Sequence, residues 1–317
     1  MVALPEPVMH TVLAIWQAYE SKASGSGDNT GVPMSVAASD CSRSIWYALR
    51  WAAPPEVIDG QKQRRFATGH REEDRLLADL EAAGIEVIKT DPATGEQFRA
   101  ALADGWLRGK LDGKVIGVPE APKTTHVVEI KSHNDKSFKD LQKKKLKDGK
   151  PEHYVQCQLY MKALKLTRCL YLAVNKNDDS LYAERISYEP NFAAQIEEKI
   201  KKVVKANSAP PKLFNNPDDR AAFVCRWCRA RPQCHDNQFA RFNCRTCIEA
   251  EFMPNAEVRC ALWNRILSYD DQQKGCAKHL FLPSLVPGEQ IDSDEKKRTV
   301  TYELRNGQKW VDGKLAK

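Results

Sequence analysis

The uneven distribution of cysteine constrains the fold of this chain more than any other feature of its sequence. Seven of the ten cysteines in the 317-residue chain lie between Cys225 and Cys276, several of them in CxxC-like spacing. Disulfides are rare in the reducing cytosol, so thiols clustered in this way indicate bound metal. We therefore expect the part of the chain after about residue 215 to be held together by metal rather than by a large apolar core.

The composition and the first residues indicate a cytoplasmic protein. Hydrophobic residues make up 42% of the chain and charged residues 29%, and no apolar run is long enough to cross a bilayer. The segment Met1–Trp16 has no basic n-region and no small-residue cleavage site, so we predict no secretory signal. The net charge of +7 is compatible with a polyanionic partner and does not prove one.

The middle of the chain alternates between strand and helix periodicity. This alternation predicts an α/β core over about residues 36–208, with a central mixed sheet flanked by helices and an end at Pro210 and Pro211. A helix with Ser39 or Asp40 as its N-cap is expected to carry Cys41. Further helices are predicted at residues 8–20, 69–83, 153–165 and 190–206, strands at 85–88, 126–132, 169–176 and 182–188, one or two strands with a tight turn at 106–118, and a flexible linker at 21–31.

Two carboxylates and one lysine form a pattern suited to phosphodiester hydrolysis. Asp112 lies in a Gly-Lys-Leu-Asp-Gly turn at the end of a predicted strand, and the strand at 126–132 carries Glu129 and Lys131. Residues two apart in a strand point to the same face, so these two side chains emerge side by side. Carboxylate oxygens suit Mg²⁺ or Mn²⁺, which can acidify a water, and the Lys131 ammonium can hold or help deprotonate that water.

These residues resemble the motifs of the PD-(D/E)xK nuclease superfamily. Asp112 matches the first acidic position, although Leu111 stands where the family has proline, and Glu129-Ile130-Lys131 matches the ExK. Two further segments resemble the RecB-like branch. Gln156 to Tyr160 matches its QxxxY helix motif, and Gly69 to Glu73 matches its upstream helix, in which a residue four after the glycine faces the metal.

The resemblance implies a restriction-endonuclease-like core and a role for each matched residue. Lys131 would activate the attacking water, and Gln156 and Tyr160 would orient the DNA strand or the groups of the site. The metal ligands that it implies are Glu73, with His70 as an alternative, Asp112, Glu129 and the carbonyl of Ile130.

The same residues also have an ordinary explanation. Glu129 and Lys131 can form an exposed cross-strand ion pair, and Gln156 and Tyr160 can be unremarkable helix residues. A second alternative is a degenerate member of the family that binds DNA without cutting it, although every motif residue is intact.

One set of cysteines brackets the predicted core. Cys225, Cys228 and Cys234 follow it as CxxCx₅C. Nucleases of the RecB-like branch that carry an iron–sulfur cluster have three such cysteines after the core and a lone one before it, which Cys41 resembles. The resemblance implies a [4Fe–4S] cluster stapling the two ends of the nuclease domain, whereas the residues alone leave tetrahedral zinc equally open.

A second set of cysteines lies entirely within the C-terminal part. CxxC followed by two more soft ligands fits a small structural zinc module. The predicted ligands are Cys244, Cys247, Cys260 and Cys276, with His279 able to replace one of them. Asn306-Gly307 between two alternating runs predicts a β-hairpin at the end of this module. Cys157 and Cys169 fit neither set and are expected to pack in the core.

Together these patterns predict a magnesium-dependent DNA nuclease. Residues 1–35 would be an N-terminal helix and linker, 36–235 the nuclease core closed by the four-cysteine cluster, and 236–317 the zinc module. The lysine-rich stretch Lys136–Lys150 directly follows the ExK strand and is expected to contact phosphates.

On resemblance, we expect an exonuclease of DNA recombination or repair, of a kind frequent in bacteriophages, acting in the host cytoplasm. Its partners would be DNA and a recombinase, a single-strand annealing protein or a helicase, with no membrane involved. The alternative class is a non-catalytic nucleic-acid-binding protein that uses the zinc module on a nuclease-like scaffold. An iron–sulfur redox protein is a third class, although nothing indicates a flavin or nicotinamide site.

Overall fold

The computed structural model describes residues 9–22 and 30–313 of the chain. Most of the linker predicted at 21–31, the first residue of the helix predicted at 8–20 and the last residues of the predicted C-terminal module, 314–317, lie outside these ranges. The helices are α1 (His10–Lys22), α2 (Ser42–Leu49), α3 (Gly60–Ala82), α4 (Asp135–Gly149), α5 (Pro151–Leu164), α6 (Pro190–Lys205), α7 (Phe223–Arg226), α8 (Arg231–Cys234) and α9 (Tyr269–Lys274). The strands are β1 (Val32–Pro33), β2 (Glu86–Ile88), β3 (Arg99–Leu102), β4 (Leu107–Lys110), β5 (Gly113–Ile116), β6 (His126–His133), β7 (Arg168–Asn175), β8 (Leu181–Ser187), β9 (Ala250–Phe252), β10 (Val258–Cys260), β11 (Arg265–Ile266), β12 (Gly288–Asp294), β13 (Thr299–Leu304) and β14 (Lys309–Asp312).

A mixed five-stranded sheet forms the centre of the fold, as the sequence predicts. Its strand order is β2-β5-β6-β7-β8. The strands β6 and β7 pair in parallel, whereas the other neighbours pair antiparallel. Parallel neighbours need a crossover connection, and α4 and α5 provide it. The α/β fold class is therefore confirmed.

The two faces of the central sheet are covered by different helices. Val128 and Ile130 of β6 pack with α3 in one buried cluster, whereas Val127 joins the larger core that contains α5. Side chains alternate between the faces of a strand, so Glu129 and Lys131 share the face of Val127. The strand therefore directs both side chains of the predicted ExK toward α5.

The segment around Asp112 passes from one sheet to another. Residues 106–118 contain two strands, but β4 belongs to a small three-stranded sheet of order β1-β4-β3, whereas β5 belongs to the central sheet. Leu111 and Asp112 connect them. The expected tight turn is thus a crossing between sheets, and it fixes Asp112 where the small sheet meets the central one.

Two helix starts differ from the sequence prediction. The N-cap of α2 is Cys41, whose sulfur accepts a hydrogen bond from the Ser44 amide at 3.4 Å, and neither Ser39 nor Asp40 has that role. The helix α3 begins at Gly60 instead of residue 69, because the Asp59 carboxylate caps its first turn by accepting from Lys62 N at 2.7 Å.

The C-terminal part contains two small antiparallel sheets, β11-β10-β9 and β12-β13-β14. The hairpin predicted at Asn306-Gly307 is confirmed, because that pair lies in the connection between β13 and β14. Contrary to the expectation that metal replaces an apolar core here, Val258, Leu285 and Tyr302 are buried in the same cluster as Trp46 of α2. No helix within residues 9–22 or 30–313 combines the length and apolarity that a membrane crossing needs.

Candidate active site

The structure brings Asp112, Glu129 and Lys131 together at β6, the middle strand of the central sheet. Asp112 Oδ2 accepts a hydrogen bond from the Ile130 amide at 2.7 Å, which ties the connection between β4 and β5 to β6. Lys131 Nζ donates to Glu129 Oε1 and to the Ile130 carbonyl, the latter at 3.1 Å. The carboxylate and the ammonium of the ExK strand are thus in direct contact, with Glu129 fully buried.

The second carboxylate oxygen of Glu129 lacks a partner in the described part of the chain. Oε2 is buried there without a hydrogen bond. Burial raises the pKa of Glu129 to about 7 despite the opposing effect of Lys131, and the carboxylates of Asp112 and Glu73 raise it further. A buried, unpaired acceptor costs about 1–3 kcal/mol, and more when it is charged. The site therefore has an oxygen that a cation would satisfy.

Glu73 and His70 lie within electrostatic range of the same site. Burial raises the pKa of Glu73, and the Asp112 carboxylate adds to this, whereas His70 and Lys131 oppose it. Burial likewise raises the pKa of Asp112 against the effects of Lys131 and His70. Both the predicted upstream residue and its alternative are therefore positioned by α3 beside the carboxylates.

Lys131 is held in its protonated form. Burial acts to lower the pKa of its amine, but Glu129 and Asp112 raise it by more, so the net shift is upward. With three carboxylates around one ammonium, the site keeps an excess of oxygen donors and negative charge. That set of hard oxygen ligands fits Mg²⁺ or Mn²⁺.

The two residues of the QxxxY motif form a hydrogen-bonded chain that reaches the strand before Asp112. Gln156 Nε2 donates to Tyr160 Oη at 2.9 Å, and Tyr160 Oη donates to the Lys110 carbonyl at 2.6 Å. The glycine before Lys110 permits this approach, since a Cβ on Gly109 would lie 2.6 Å from Cε1 of the Tyr160 ring. The requirement for glycine here is visible only once α5 is packed against β4.

Sequence reasoning missed a buried cluster of imidazoles beside Lys131. Tyr171 Oη lies 3.0 Å from His133 Nε2 and 2.9 Å from His153 Nδ1. Burial, followed by the charges of lysines that include Lys131, lowers the pKa of His133 to about 4 and that of His153 to about 3. The position of His133, two residues after Lys131 on β6, is the sequence signal that points to this cluster.

The first cysteine set surrounds one cavity. Cys41, Cys225, Cys228 and Cys234 all line it. Burial raises the pKa of both Cys225 and Cys228, and the Cys41 thiol contributes to each shift. Cys41, the N-cap of α2, thus shares a cavity with three thiols that follow the core in sequence.

The second cysteine set surrounds another cavity, of about 60 Å³, which all of its members and His279 line. Burial raises the pKa of Cys244 to about 11, with Cys276, Cys247 and Cys260 adding to the shift. His279 Nε2 contacts Thr246 Oγ1 at 3.2 Å, while its buried Nδ1 has no hydrogen-bond partner among the described residues.

None of these groups is closed around an ion. Among the residues that the structure describes, no group of three or more His, Cys, Asp or Glu side chains has an arrangement that could hold a metal. The carboxylates and the thiols are gathered at common sites, and side-chain adjustment would be needed for coordination. Cys157 and Cys169 lie apart from both sets, fully buried in the core.

Comparison with known families identifies the class of protein. The model of the PD-(D/E)XK nuclease superfamily matches residues 8–235, and the chain belongs to this superfamily. None of the curated proteins compared with the chain matches it.

Among solved structures, the chain matches that of the protein SSO0001 with 14% sequence identity and a TM-score of 0.41. The match covers 72% of this chain and 96% of SSO0001. The alkaline exonuclease LHK-Exo from Laribacter hongkongensis matches at 16% identity and a TM-score of 0.38, covering 59% of this chain and 90% of that one. LHK-Exo in complex with dAMP matches with the same identity and TM-score.

Proposed function

We propose that this protein is a divalent-metal-dependent deoxyribonuclease that acts as an exonuclease. The observation that carries the proposal is the buried, unpartnered Oε2 of Glu129, beside Asp112 and in contact with the Lys131 ammonium. Burial of an unpaired carboxylate oxygen destabilises the metal-free protein, and a bound cation would remove this free-energy cost. The superfamily to which the chain belongs supports the same reaction class.

Each residue of the site has a task in this proposal. Asp112, Glu129 and Glu73 would hold the metal with the Ile130 carbonyl, and His70 would be the alternative to Glu73. When bound, Mg²⁺ or Mn²⁺ supplies positive charge to the scissile phosphate and acidifies the attacking water. Lys131 would donate a hydrogen bond to the attacking water or the phosphate and would help to activate that water.

Gln156 and Tyr160 are positioning residues in this proposal. The hydrogen bond from Tyr160 to the Lys110 carbonyl fixes the end of β4, and Asp112 lies two residues further on. The burial of Gln156 and Tyr160 supports a role that acts through this backbone.

The two cysteine sets are proposed to be structural metal centres. Cys41, Cys225, Cys228 and Cys234 would hold a [4Fe–4S] cluster or zinc, and the second set would hold zinc. The shared cavities and the unpartnered Nδ1 of His279 support the choice of residues. Metal analysis of the purified protein, together with absorbance near 400 nm for iron–sulfur, distinguishes the two metals at the first set.

In the cell, we propose a role in recombination or repair of phage or bacterial DNA. A recombinase, an annealing protein or a helicase would be the partner, because an exonuclease produces the single strand on which such proteins act. This proposal rests on the resemblance to the RecB-like branch.

The test of the activity is degradation of end-labelled linear DNA and of circular DNA in Mg²⁺, Mn²⁺ or EDTA. We expect metal-dependent loss of linear DNA, sparing of circles, and a loss of about 10²-fold or more in Lys131→Ala, as for removal of one charge-stabilising donor. Lys89→Ala changes the lysine directly after β2, which lies 4.0 Å from Glu81; it is the control and should keep full activity.

Two outcomes would overturn the proposal. Cleavage that persists in Lys131→Ala would place the reaction elsewhere or in a contaminant. DNA binding without cleavage in any metal would instead assign the chain to the non-catalytic nucleic-acid-binding class.

A further inference from the structure

A basic surface lies on the outward face of the small sheet. In the pairing of β3 with β4, Arg99 is directly opposite Lys110, and Ala101 is opposite Arg108. Because side chains alternate along a strand, these four residues share one face. Three cations therefore surround one small residue, and we call Arg99, Arg108 and Lys110 the basic face.

The basic face is not neutralised by acidic neighbours. Arg99 lies 3.4 Å from Glu96, in an ion pair whose two side chains are 68% and 66% exposed, where such a pair contributes little. The Lys110 ammonium has no ion-pair partner in the part of the chain that the structure describes. Like charges directly opposite each other on paired strands are destabilising, so this register has a cost in the free protein.

Arg108 is held rigidly within the basic face. Its Nε donates to the Gly105 carbonyl at 2.7 Å, and its Nη2 donates to the Asn255 carbonyl at 3.0 Å. Two carbonyls orient the guanidinium without cancelling its charge. A cation fixed by neutral groups in this way is prepared to meet an anion.

The basic face lines a groove of about 510 Å³. Asn255 lines the same groove, and so do Gly31 and the two residues of β1, the strand next to β4. Every charged residue that lines the groove is basic. Ala101, which lies between the cations on this face, has little side-chain bulk and leaves them accessible.

The basic face is connected to the candidate active site through β4. Lys110 lies two residues before Asp112, and its carbonyl is held by Tyr160 at 2.6 Å. The strand β4 thus carries Arg108 and Lys110 of the basic face and leads directly to Asp112.

We infer that this groove binds the phosphodiester backbone of the DNA strand that is led to the active site. The inference rests on the proposed nuclease function and adds to it a location for the substrate. Arg and Lys contacts to phosphate are independent of base sequence, so the groove contributes affinity without sequence preference.

The basic face is a better candidate for phosphate contact than the lysine-rich helix α4. There, Lys139, Lys144 and Lys147 are paired with Asp135, Asp140 and Glu189, each at 2.8 Å. Those pairs are exposed, as is the pair of Arg99, so ion pairing does not decide between the two surfaces. The basic face differs from α4 because two carbonyls fix the Arg108 guanidinium and because β4 leads directly to Asp112.

The test compares two variants that each remove two positive charges from the full-length protein. Arg99→Gln/Lys110→Gln changes the basic face, and Lys143→Gln/Lys145→Gln changes α4. Binding of a fluorescent DNA duplex and of a single strand is measured in Ca²⁺ between 50 and 300 mM salt. For the first variant we expect about 5- to 50-fold weaker binding at low salt, equally for different sequences, and a salt slope smaller by about 2, or one per lost contact.

Folding and function are read out separately from binding. The thermal midpoint of Arg99→Gln/Lys110→Gln should equal or exceed that of the wild type, because the variant removes the repulsion across the strand pair. Wild-type affinity and slope in this variant would overturn the inference, and so would an equal loss in the α4 variant. Absence of wild-type cleavage would overturn the proposed nuclease function alone, because the salt slopes still decide whether DNA occupies the groove.

Discussion

Gly109 is a residue whose lack of a side chain keeps the candidate site assembled. It lies in a strand, where alanine would be acceptable to the backbone, but a Cβ would meet the Tyr160 ring at 2.6 Å. We expect Gly109→Ala to lower the free energy of unfolding by about 1–3 kcal/mol, as for other overpacked sites. Nuclease activity should fall further than stability does, since Tyr160 would lose its hold on the Lys110 carbonyl. Chemical denaturation and the cleavage assay measure the two effects.

Gly69 supplies the matched control for this substitution. It lies inside α3 with no heavy atom within 4 Å of an added Cβ. Gly69→Ala should therefore be neutral or more stable by about 0.5–1 kcal/mol, the usual gain in a helix interior. Adding Tyr160→Leu to Gly109→Ala should recover stability without recovering activity, and independent effects of the two changes would contradict the steric explanation.

His133 and His153 make the stability of the molecule sensitive to acid. Their pKa values, lowered by burial to about 4 and about 3, lie below the ordinary value of 6.5. Both imidazoles are therefore neutral in the folded protein at pH 7, and their contribution is fully present above about pH 6.5. It is lost as the pH falls from 6.5 toward 4, where the unfolded chain binds protons that the folded chain does not.

The variant His133→Gln measures this contribution. The wild type should lose stability relative to the variant between pH 6.5 and 4, on the order of 3 kcal/mol at the low end. Denaturation curves at several pH values give the difference, and His10→Gln, which changes an exposed histidine at the start of α1, is the control. A difference that does not change with pH would show that His133 titrates normally in the fold.

The helices and strands with strong apolar periodicity could be predicted from the sequence, but the way in which they pack against each other could not. The apolar alternation of β6 predicted the strand and therefore the common side of Glu129 and Lys131, because the period of two is local geometry. The assignment of β4 and β5 to different sheets depends on long-range pairing that no local pattern encodes. For the same reason the proximity of Glu73 to Asp112 rested on resemblance, since it requires α3 to pack on the sheet.

Cys41, at the start of α2, has two proposed roles that substitutions can separate. Cys41 caps the helix through its sulfur and also faces the thiols of the first cysteine set. Cys41→Ser keeps an N-cap acceptor and removes a soft ligand, whereas Cys41→Ala removes both. We expect both variants to lose the metal of this set. Only Cys41→Ala should lose a further 0.5–2 kcal/mol or so of stability from the missing cap.

Metal content and denaturation curves separate the two roles. Full metal content in Cys41→Ser would exclude Cys41 as a ligand. Equal stability of the two variants would show that the cap contributes nothing measurable.

At the scale of the whole molecule, two buried arginines join the C-terminal part to the rest. Arg245 Nη1 donates to the carbonyls of Thr30 and Leu49 at 2.8 and 2.9 Å. Arg50 of the core donates in return to the Arg245 carbonyl at 3.0 Å. Arg245 also lies 3.8 Å from the centroid of the Trp51 ring. Breaking a buried, hydrogen-bonded charge network costs several kcal/mol, so this junction is a large part of the stability of the molecule.

A chain that ends at residue 235 should therefore fail to fold as the nuclease core. The boundary between 36–235 and 236–317 was placed from cysteine spacing, but Trp106 of the core donates to the Met253 carbonyl at 2.7 Å and packs in one cluster with Val258 and Tyr302. Truncation would expose this apolar surface and remove the carbonyl that accepts from Arg50 Nη1. We expect no cooperative thermal transition, dye binding typical of exposed apolar surface, and no cleavage. A cooperative transition with metal-dependent activity in the truncated chain would instead establish the core as an independent domain, with the C-terminal part as an accessory.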